Sequence, residues 1–450
     1  MRRPRGKGVR IVAYLLNCVY LLLLVALAPW FVAQSLLRGK YREGFAAKFL
    51  GLVPRRTSNR RCVWFHAVSV GEVNLLGPLV EQIGERHAGW ECVVSTTTMT
   101  GYALARTRYP DLCVFYCPLD FSWSVRNAIR RVRPDVLVLA ELELWPNLVR
   151  AAGEIGAKVA IVNGRLSDRS FRGYRRIRPI VARLLTRVDL IAAQNEEYAE
   201  RFLALGAAEE SVRVTGSIKF DNAATDRDNP KTKRLRELAG ISATDIVFLA
   251  GSTQHPEESL ALAAFAKLAP DWPNLRLILV PRHPDRFDEV AALLDASGIC
   301  WQRRSSLGGP AADPQARALL VDTVGELGAW WGTAHIAVVG GSLSRRGGQN
   351  MIEPAAYGAA VAFGPNTWNF RDVVAALLAA DAAKVVRNGE EMAEFVRWVL
   401  ASPDAAAAMG ARAQRLVRGQ LGATERTIDA LATVMDCDRA APEESGRYAA

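Results

Sequence analysis

Four charged side chains, Glu72, Glu141, Glu143 and Lys219, stand where an apolar run gives way to a turn, and each can move a proton or offset charge. Glu72 follows Cys62-Val-Trp-Phe-His-Ala-Val and the turn Ser69-Val-Gly71. A carboxylate there can act as a general base, and Gly71 allows close backbone approach. The same acid in a first helical turn also complements the helix dipole, with no chemical role required. Glu141 and Glu143 follow Asp135-Val-Leu-Val-Leu-Ala140. If the strand continues they face one side; if it stops at Ala140 they need not. Such a pair suits a polyhydroxylated ligand or a basic partner. A structural salt bridge is the alternative, because acids beside so apolar a run are costly without a partner. Lys219, in Gly216-Ser-Ile-Lys219-Phe-Asp221, can offset charge on a departing phosphate, or can be a plain surface lysine.

The second half carries groups suited to anions. Ser252 and Thr253 lie in a strand–turn–helix segment, whose amides and hydroxyls suit a phosphate or simply cap a helix. Arg282 ends the run Leu275 to Pro281 and suits a phosphate, a carboxylate or an ion pair. Gly340-Gly-Ser-Leu-Ser-Arg-Arg-Gly-Gly-Gln-Asn350-Met-Ile-Glu353 is a glycine-rich loop entering a helix. Its amides can cradle phosphate while Glu353 bonds ribose hydroxyls. It is neither a Walker A motif nor G-x-G-x-x-G.

Between residues 165 and 187 there are eight arginines and one acid, Asp168. Phe171, Tyr174, Ile177, Val181 and Leu184 recur at helical spacing. The spacing predicts a basic amphipathic helix, interrupted at Pro179, able to lie against anionic headgroups. A packed helix with a solvated face is the plainer reading, above all for the outer arginines.

The elements that must position these groups are legible from periodicity. Strand-like runs at 62–68, 91–96, 112–116, 135–140, 158–162, 189–193 and 212–215 alternate with helical stretches. A second series follows at 246–250, 275–280, 318–322, 335–339, 360–363 and 383–386. That alternation predicts two Rossmann-like α/β domains with parallel sheets, facing one cleft. The expected division is 1–45 basic N-terminus and anchor, 46–222 first domain, 223–240 linker, 241–436 second domain, and 437–450 polar tail.

The chain of 450 residues has a net charge of +11, which favours an anionic partner. Its seven cysteines form no framework or metal spacing, so reduced thiols and a cytosolic setting are expected. No nucleic-acid module with stacking aromatics is present. Residues 11–37 carry no charge over 27 positions. A helix of that length is ~40 Å, enough to span a bilayer with tilt. Ala26-Leu-Ala28 mimics a cleavage site, but Pro29 follows it and the apolar run continues. An uncleaved anchor is therefore expected. Basic residues flank both ends, which also fits a helix lying in the interface.

Taken together, His66-Ala-Val-Ser-Val-Gly-Glu72, Glu141-Leu-Glu-Leu-Trp-Pro-Asn147, Asn163-Gly-Arg-Leu-Ser167, Gly216-Ser-Ile-Lys219, Pro281-Arg-His-Pro284, Gly325-Glu326 and Asn350 to Glu353 resemble the 3-deoxy-D-manno-octulosonic acid (Kdo) transferases. The segments run in family order. The resemblance implies a GT-B glycosyltransferase at the cytoplasmic face of the inner membrane, moving Kdo from CMP-Kdo to the lipid A precursor. Positive groups and helix N-termini can stabilise the departing phosphate, and no acid pair has metal-like spacing, so no metal or cofactor is expected. It implies Glu72 as general base and Glu141 and Lys219 as transition-state stabilisers. It implies CMP contacts at Pro281, Arg282, Val324, Gly325, Glu326, Asn350, Met351, Ile352 and Glu353. The turn residues Ser69 and Gly71 and the arginines Arg172, Arg175 and Arg176 are expected on the acceptor and membrane side. Two positions depart from the family pattern: Gln254, where a histidine is common, and Gln349, likewise. Other readings are a GT-B enzyme with a different nucleotide sugar or lipid acceptor, or an anchored binding protein without turnover.

Retention of residues 11–37 is the first expected outcome. N-terminal sequencing of the mature protein should read from the start of the chain; a sequence beginning near Pro29 would remove the anchor.

Overall fold

A computed structural model describes residues 7–38, 43–308 and 313–436. Arg2, Arg3, Arg5, Lys40, Arg42 and the tail expected over 437–450 lie outside the described residues. The first sheet is built from β1 Arg61–Ala67, β2 Trp90–Thr96, β3 Cys113–Tyr116, β4 Val136–Ala140, β5 Lys158–Gly164, β6 Leu190–Ala193 and β7 Val212–Val214. Its order is β3-β2-β1-β4-β5-β6-β7, and every pairing is parallel. The second sheet is built from β8 Ile246–Thr253, β9 Leu275–Pro281, β10 Trp301–Arg303, β11 Ala318–Leu320, β12 Ile336–Val339, β13 Ala360–Phe363 and β14 Ala383–Val385. Its order is β10-β11-β9-β8-β12-β13-β14, again all parallel. Strand β10 was not expected. Its residues Trp301, Gln302 and Arg303 are all half-buried, so no apolar run marks them.

Each strand order reverses once, between β1 and β4 and between β8 and β12. The crevice at such a reversal, beyond the carboxyl ends of the strands, is where open α/β sheets bind ligands. Strands β1 and β4 read as unbroken apolar runs because both faces of the sheet are covered. Trp64, Leu137 and Leu139 enter one core with Ile129, Val149 and Phe202. Val63, Phe65, Val136 and Val138 enter the opposite one with Val73, Leu76 and Leu79. The period of two that splits them is the strand's own.

The chain divides into two compact units, one running to Asp221 and resuming at Leu421, the other Asn222–Gln420. This differs from the expected boundaries at both ends. Helix Ala423–Met435 belongs to the first unit, where Ile428, Leu431 and Met435 join the Val73–Leu76 core. Each such side chain contributes about 1.5–3 kcal/mol when fully buried. Asp221 accepts hydrogen bonds from the amides of Ala423 and Thr424, and Arg426 Nε donates to the Thr215 carbonyl at 2.9 Å. The stretch expected as a linker is structured. Pro230–Leu238 is a helix capped by Asn229 and seated by buried Thr232 and Leu235. Before it, Arg227 donates to the carbonyls of Tyr357 and Ala334, each at 2.7 Å.

The apolar N-terminal segment is a helix, Lys7–Arg38. Asn17 exchanges two hydrogen bonds with Ser122, at 2.8 and 2.9 Å, and Tyr20 Oη donates to Asp120 at 3.2 Å. Asp120 also caps the helix Pro146–Glu154 by accepting from the amides of Asn147 and Leu148. Leu22 and Val25 are each 71% exposed. Among the described residues, no helix is long and apolar enough to cross a membrane. The arginine-rich segment forms two helices, Asp168–Arg176 and Arg178–Leu185. The break falls at Ile177, not at Pro179, because a proline fits the first turn of the second helix.

Close packing against the helix Ile352–Ala356 rests on glycine. A Cβ on Gly410 would overlap the Gly358 carbonyl oxygen, which is backbone and cannot swing away. Gly410→Ala should therefore destabilise the second unit by about 1–3 kcal/mol. Thermal unfolding of the variant checks this; an unchanged transition would show that the helices can part there.

Candidate active site

Strand β1 ends at Ala67, and Ser69 caps the helix Val70–Arg86 that follows. Glu72 lies in the first turn of that helix and folds back. Its Oε2 accepts from the Val68 amide at 2.8 Å, and its Oε1 accepts from Ser69 Oγ at 2.9 Å. Ser69 Oγ also accepts from the Glu72 amide at 3.4 Å, which is half of a capping box, while the carboxylate reaches one residue further back, so the dipole reading and the base reading describe one geometry. A carboxylate has about four acceptor positions, so one bond at each oxygen leaves room for a substrate hydroxyl. Burial pushes the Glu72 carboxyl up; the Val68 amide and Ser69 hydroxyl oppose this, the Glu141 charge adds to it, and Lys219 opposes it. A raised carboxyl is a stronger base once ionised. Ser69 thus orients Glu72, and Gly71 is exposed beside it.

Across the strand reversal, β4 stops at Ala140, and Glu141 sits in the left-handed region at φ 54°. That kink decides the question the spacing left open. Glu141 turns toward Lys219, whose Nζ donates to its Oε1 at 2.8 Å. Glu143 instead accepts from the Trp145 indole at 3.1 Å. Its carboxyl is pushed up to about 7, first by burial and then by the Glu72 charge. The lysine is placed by Asn163, buried at the end of β5 with φ 53°, whose Oδ1 accepts from the Ile218 amide at 3.1 Å. Asn163 opens the motif Asn163-Gly-Arg-Leu-Ser167, and asparagine's tolerance of left-handed backbone is the signal that marks it. His66 is fully buried under this floor, bonded through Nδ1 to Ser95 Oγ at 3.0 Å. Burial lowers its pKa to about 4, so it stays neutral and structural.

Arg172, Arg175 and Arg176 are exposed on the first arginine-rich helix, while Phe171 and Tyr174 pack inward against the core. These arginines are carried on the same unit as Glu72.

In the second unit one expectation is corrected. The amides at the start of the glycine-rich loop are not open to a phosphate. Glu257, 2% exposed, accepts from the amides of Gly341 at 2.7 Å, Ser342 at 3.0 Å, Leu343 at 2.9 Å and Gln254 at 2.9 Å. A buried carboxylate is stable there because successive N–H groups replace water. Burial still pushes its carboxyl up against those amides. The same contacts close the turn after Thr253, which is itself buried, with its Oγ1 on the Val280 carbonyl. Ser252 takes a left-handed conformation at φ 53°. Met351 and Ile352 point into the core, so only their backbone can meet a ligand.

The remaining donor-side residues fall into two groups. Gly325, Glu326 and Glu353 line a cavity of about 530 Å³ with Arg304, Lys231, Arg234 and Tyr357. Glu353 accepts from Asn350 Nδ2 at 3.0 Å, and burial raises its carboxyl. Glu326 is held by Arg304 in a two-pronged pair at 2.8 and 2.7 Å, and by Thr323 Oγ1 at 2.7 Å. Burial opposes its ionisation, but these donors bring it below the usual carboxylate range. Pro281 is buried at the end of β9; Arg282 is exposed, its amide donating to the Thr253 carbonyl at 3.0 Å. Val324 is 78% exposed.

Residues 42–222 match the family described as 3-deoxy-D-manno-octulosonic-acid transferase (kdotransferase). The chain is 34% identical over 428 residues to 3-deoxy-D-manno-octulosonic acid transferase of Bordetella pertussis, covering 92% of this chain and 98% of that one. It is 33% identical over 371 residues to the protein of the same name from Haemophilus influenzae, covering 82% and 86%. Among solved structures, UDP-GlcNAc 2-epimerase from Neisseria meningitidis aligns with a TM-score of 0.55 over 83% of this chain and 100% of that one. At 13% identity that likeness is one of fold, a two-domain α/β arrangement of the GT-B-like class.

Glu257 has a measurable consequence. Glu257→Gln keeps the shape but turns one acceptor oxygen into a donor that faces N–H groups. The second unit should lose about 1–3 kcal/mol. Thermal unfolding checks this; unchanged stability would mean the loop amides find other partners.

Proposed function

The chain belongs to the 3-deoxy-D-manno-octulosonic acid (Kdo) transferase family of glycosyltransferases, and on that premise we propose that it transfers Kdo from CMP-Kdo to a hydroxyl of the lipid A precursor, lipid IVA, with inversion. The observation that carries the mechanism is Glu72, held at the end of β1 by Val68 and Ser69, beside the Glu141–Lys219 pair at the end of β4.

The acceptor hydroxyl is a poor nucleophile. Glu72 takes its proton as the oxygen bonds the anomeric carbon of Kdo. The bond from that carbon to the CMP phosphate oxygen breaks, and its electron pair leaves with CMP. Charge is redistributed around the reacting carbon, and Lys219 with Glu141 offers a fixed, partly buried dipole to meet it. On the second unit, Asn350 and Glu353 suit the ribose hydroxyls, and the exposed Arg282 suits the phosphate. The backbone of 324–326 and of 351–352 completes the donor surface. The reading needs no metal or cofactor, because side-chain cations supply the charge.

The acceptor is a membrane lipid, and a cytoplasmic face of the inner membrane is the setting we assign. What supports it is the helix Lys7–Arg38, anchored through Asn17 and Tyr20 with Leu22 and Val25 turned outward. Phe45, Leu50 and Trp123 extend the exposed apolar surface of this unit. A helix lying in the interface satisfies both basic flanks. Arg172, Arg175 and Arg176 add positive charge suited to anionic headgroups or to the acceptor's phosphates.

Two measurements test the reading. Product analysis should show Kdo transfer from CMP-Kdo and none from UDP-sugars; the reverse would assign another nucleotide sugar. Glu72→Gln should keep the fold and CMP binding while lowering turnover by roughly 10²–10⁴-fold. If Glu72 only caps its helix, the variant instead loses at most about 1 kcal/mol of stability and turns over normally.

A further inference from the structure

The stretch whose polar composition predicts a linker forms one wall of the cavity in the second unit. Helix Pro230–Leu238 brings Lys231 and Arg234 to that cavity, beside Glu353 and the Gly325–Glu326 turn. The two cations are three residues apart, so they share a helix face. The helix is firmly seated: Thr232 Oγ1 donates to the Ala329 carbonyl at 3.1 Å, and Asn229 Nδ2 donates to Tyr357 Oη at 3.2 Å. Lys231 and Arg234 therefore stand on fixed backbone.

Charge in the cavity does not cancel. Arg304 and Glu326 neutralise one another in their two-pronged pair. Among the described residues neither Lys231 nor Arg234 is in an ion pair, whereas Lys233, which does not line the cavity, reaches Asp228 at 3.8 Å. The remaining acid is Glu353, whose ionisation burial disfavours. A cavity of about 530 Å³ is the size that takes a nucleotide-like ligand. Its surplus of positive charge selects an anion.

We propose that Lys231 and Arg234 are donor-specificity residues that hold the anionic part of the nucleotide sugar in this cavity. The proposal rests on the donor reading given above. The donor offers two anionic groups, the phosphate of CMP and the carboxylate of the sugar acid, and both suit an ammonium and a guanidinium.

Titration calorimetry on the full chain with CMP and with cytidine, alongside transfer kinetics with CMP-Kdo, separates them. The variant is Lys231→Ala with Arg234→Ala, and Lys233→Ala is the control on the same helix. If the pair holds the phosphate, CMP should bind roughly 10- to 100-fold more weakly while cytidine is unchanged. If it holds the carboxylate, CMP is unchanged and the KM for CMP-Kdo rises by a similar factor with kcat kept. In both cases added salt should weaken the wild type more than the variant. Equal CMP affinity with equal KM overturns the proposal and leaves the donor reading intact. An equal loss for cytidine also overturns it, since the cations would then act on the fold or the base. A wild-type chain that binds no CMP sinks the donor reading, and the proposal with it.

Discussion

Water is excluded from both faces of each sheet, and this constraint decides where chemistry can sit. Strands β1, β4, β8 and β12 are buried through almost their whole length, so a charged side chain on them would lack solvent and partners. Polar groups can emerge only where the strands stop. The strand order reverses between β1 and β4, so the two connections leaving those strands go to opposite faces. Glu72 and Glu141 occupy those two exits. The second sheet repeats the arrangement, with the turn after Thr253 and the glycine-rich loop at the ends of β8 and β12.

Carboxylates at such exits are partly desolvated, and their neighbours set their character. Glu72 is held by an amide and a hydroxyl, Glu141 by a lysine, and Glu143 by a neutral indole. The same functional group is thereby a carboxyl raised by burial at Glu72, an ion-pair partner at Glu141, and a carboxyl that burial pushes up to about 7 at Glu143. Glu257 shows the opposite use. Four amides replace its water, and the carboxylate becomes a structural post that shapes the glycine-rich loop.

The first unit also links its N-terminal helix to the segment after β4 through short contacts. Asp120 accepts from Tyr20 of the N-terminal helix and caps the helix that follows Glu143 and Trp145. One carboxylate, Asp120, thus holds both the N-terminal helix and the helix that follows the loop carrying Glu141 and Glu143. In the second unit Met351 and Ile352 are buried, while Asn350 and Glu353 on either side of them are half-buried.

The sequence by itself determined the α/β class, thirteen of the fourteen strands among the described residues, and the family. Period and apolar runs are local properties, and a strand buried on both faces writes them without ambiguity. The exception, β10, is a half-buried edge whose residues follow no such rule. The placement of Glu72 in a strand-to-helix turn was legible for the same reason. Tertiary structure alone decided the rest. Whether Glu141 and Glu143 share a partner depended on a single left-handed residue, which spacing does not encode. Loop amides that composition offers to a phosphate are taken by Glu257, a buried carboxylate that packing brings to them from another part of the chain. The helix Ala423–Met435 joined the first unit, and the apparent linker became a cavity wall, since apolar side chains go to whichever core has room for them. Partner choice across long sequence separations is a matter of three-dimensional packing, and no local pattern carries it.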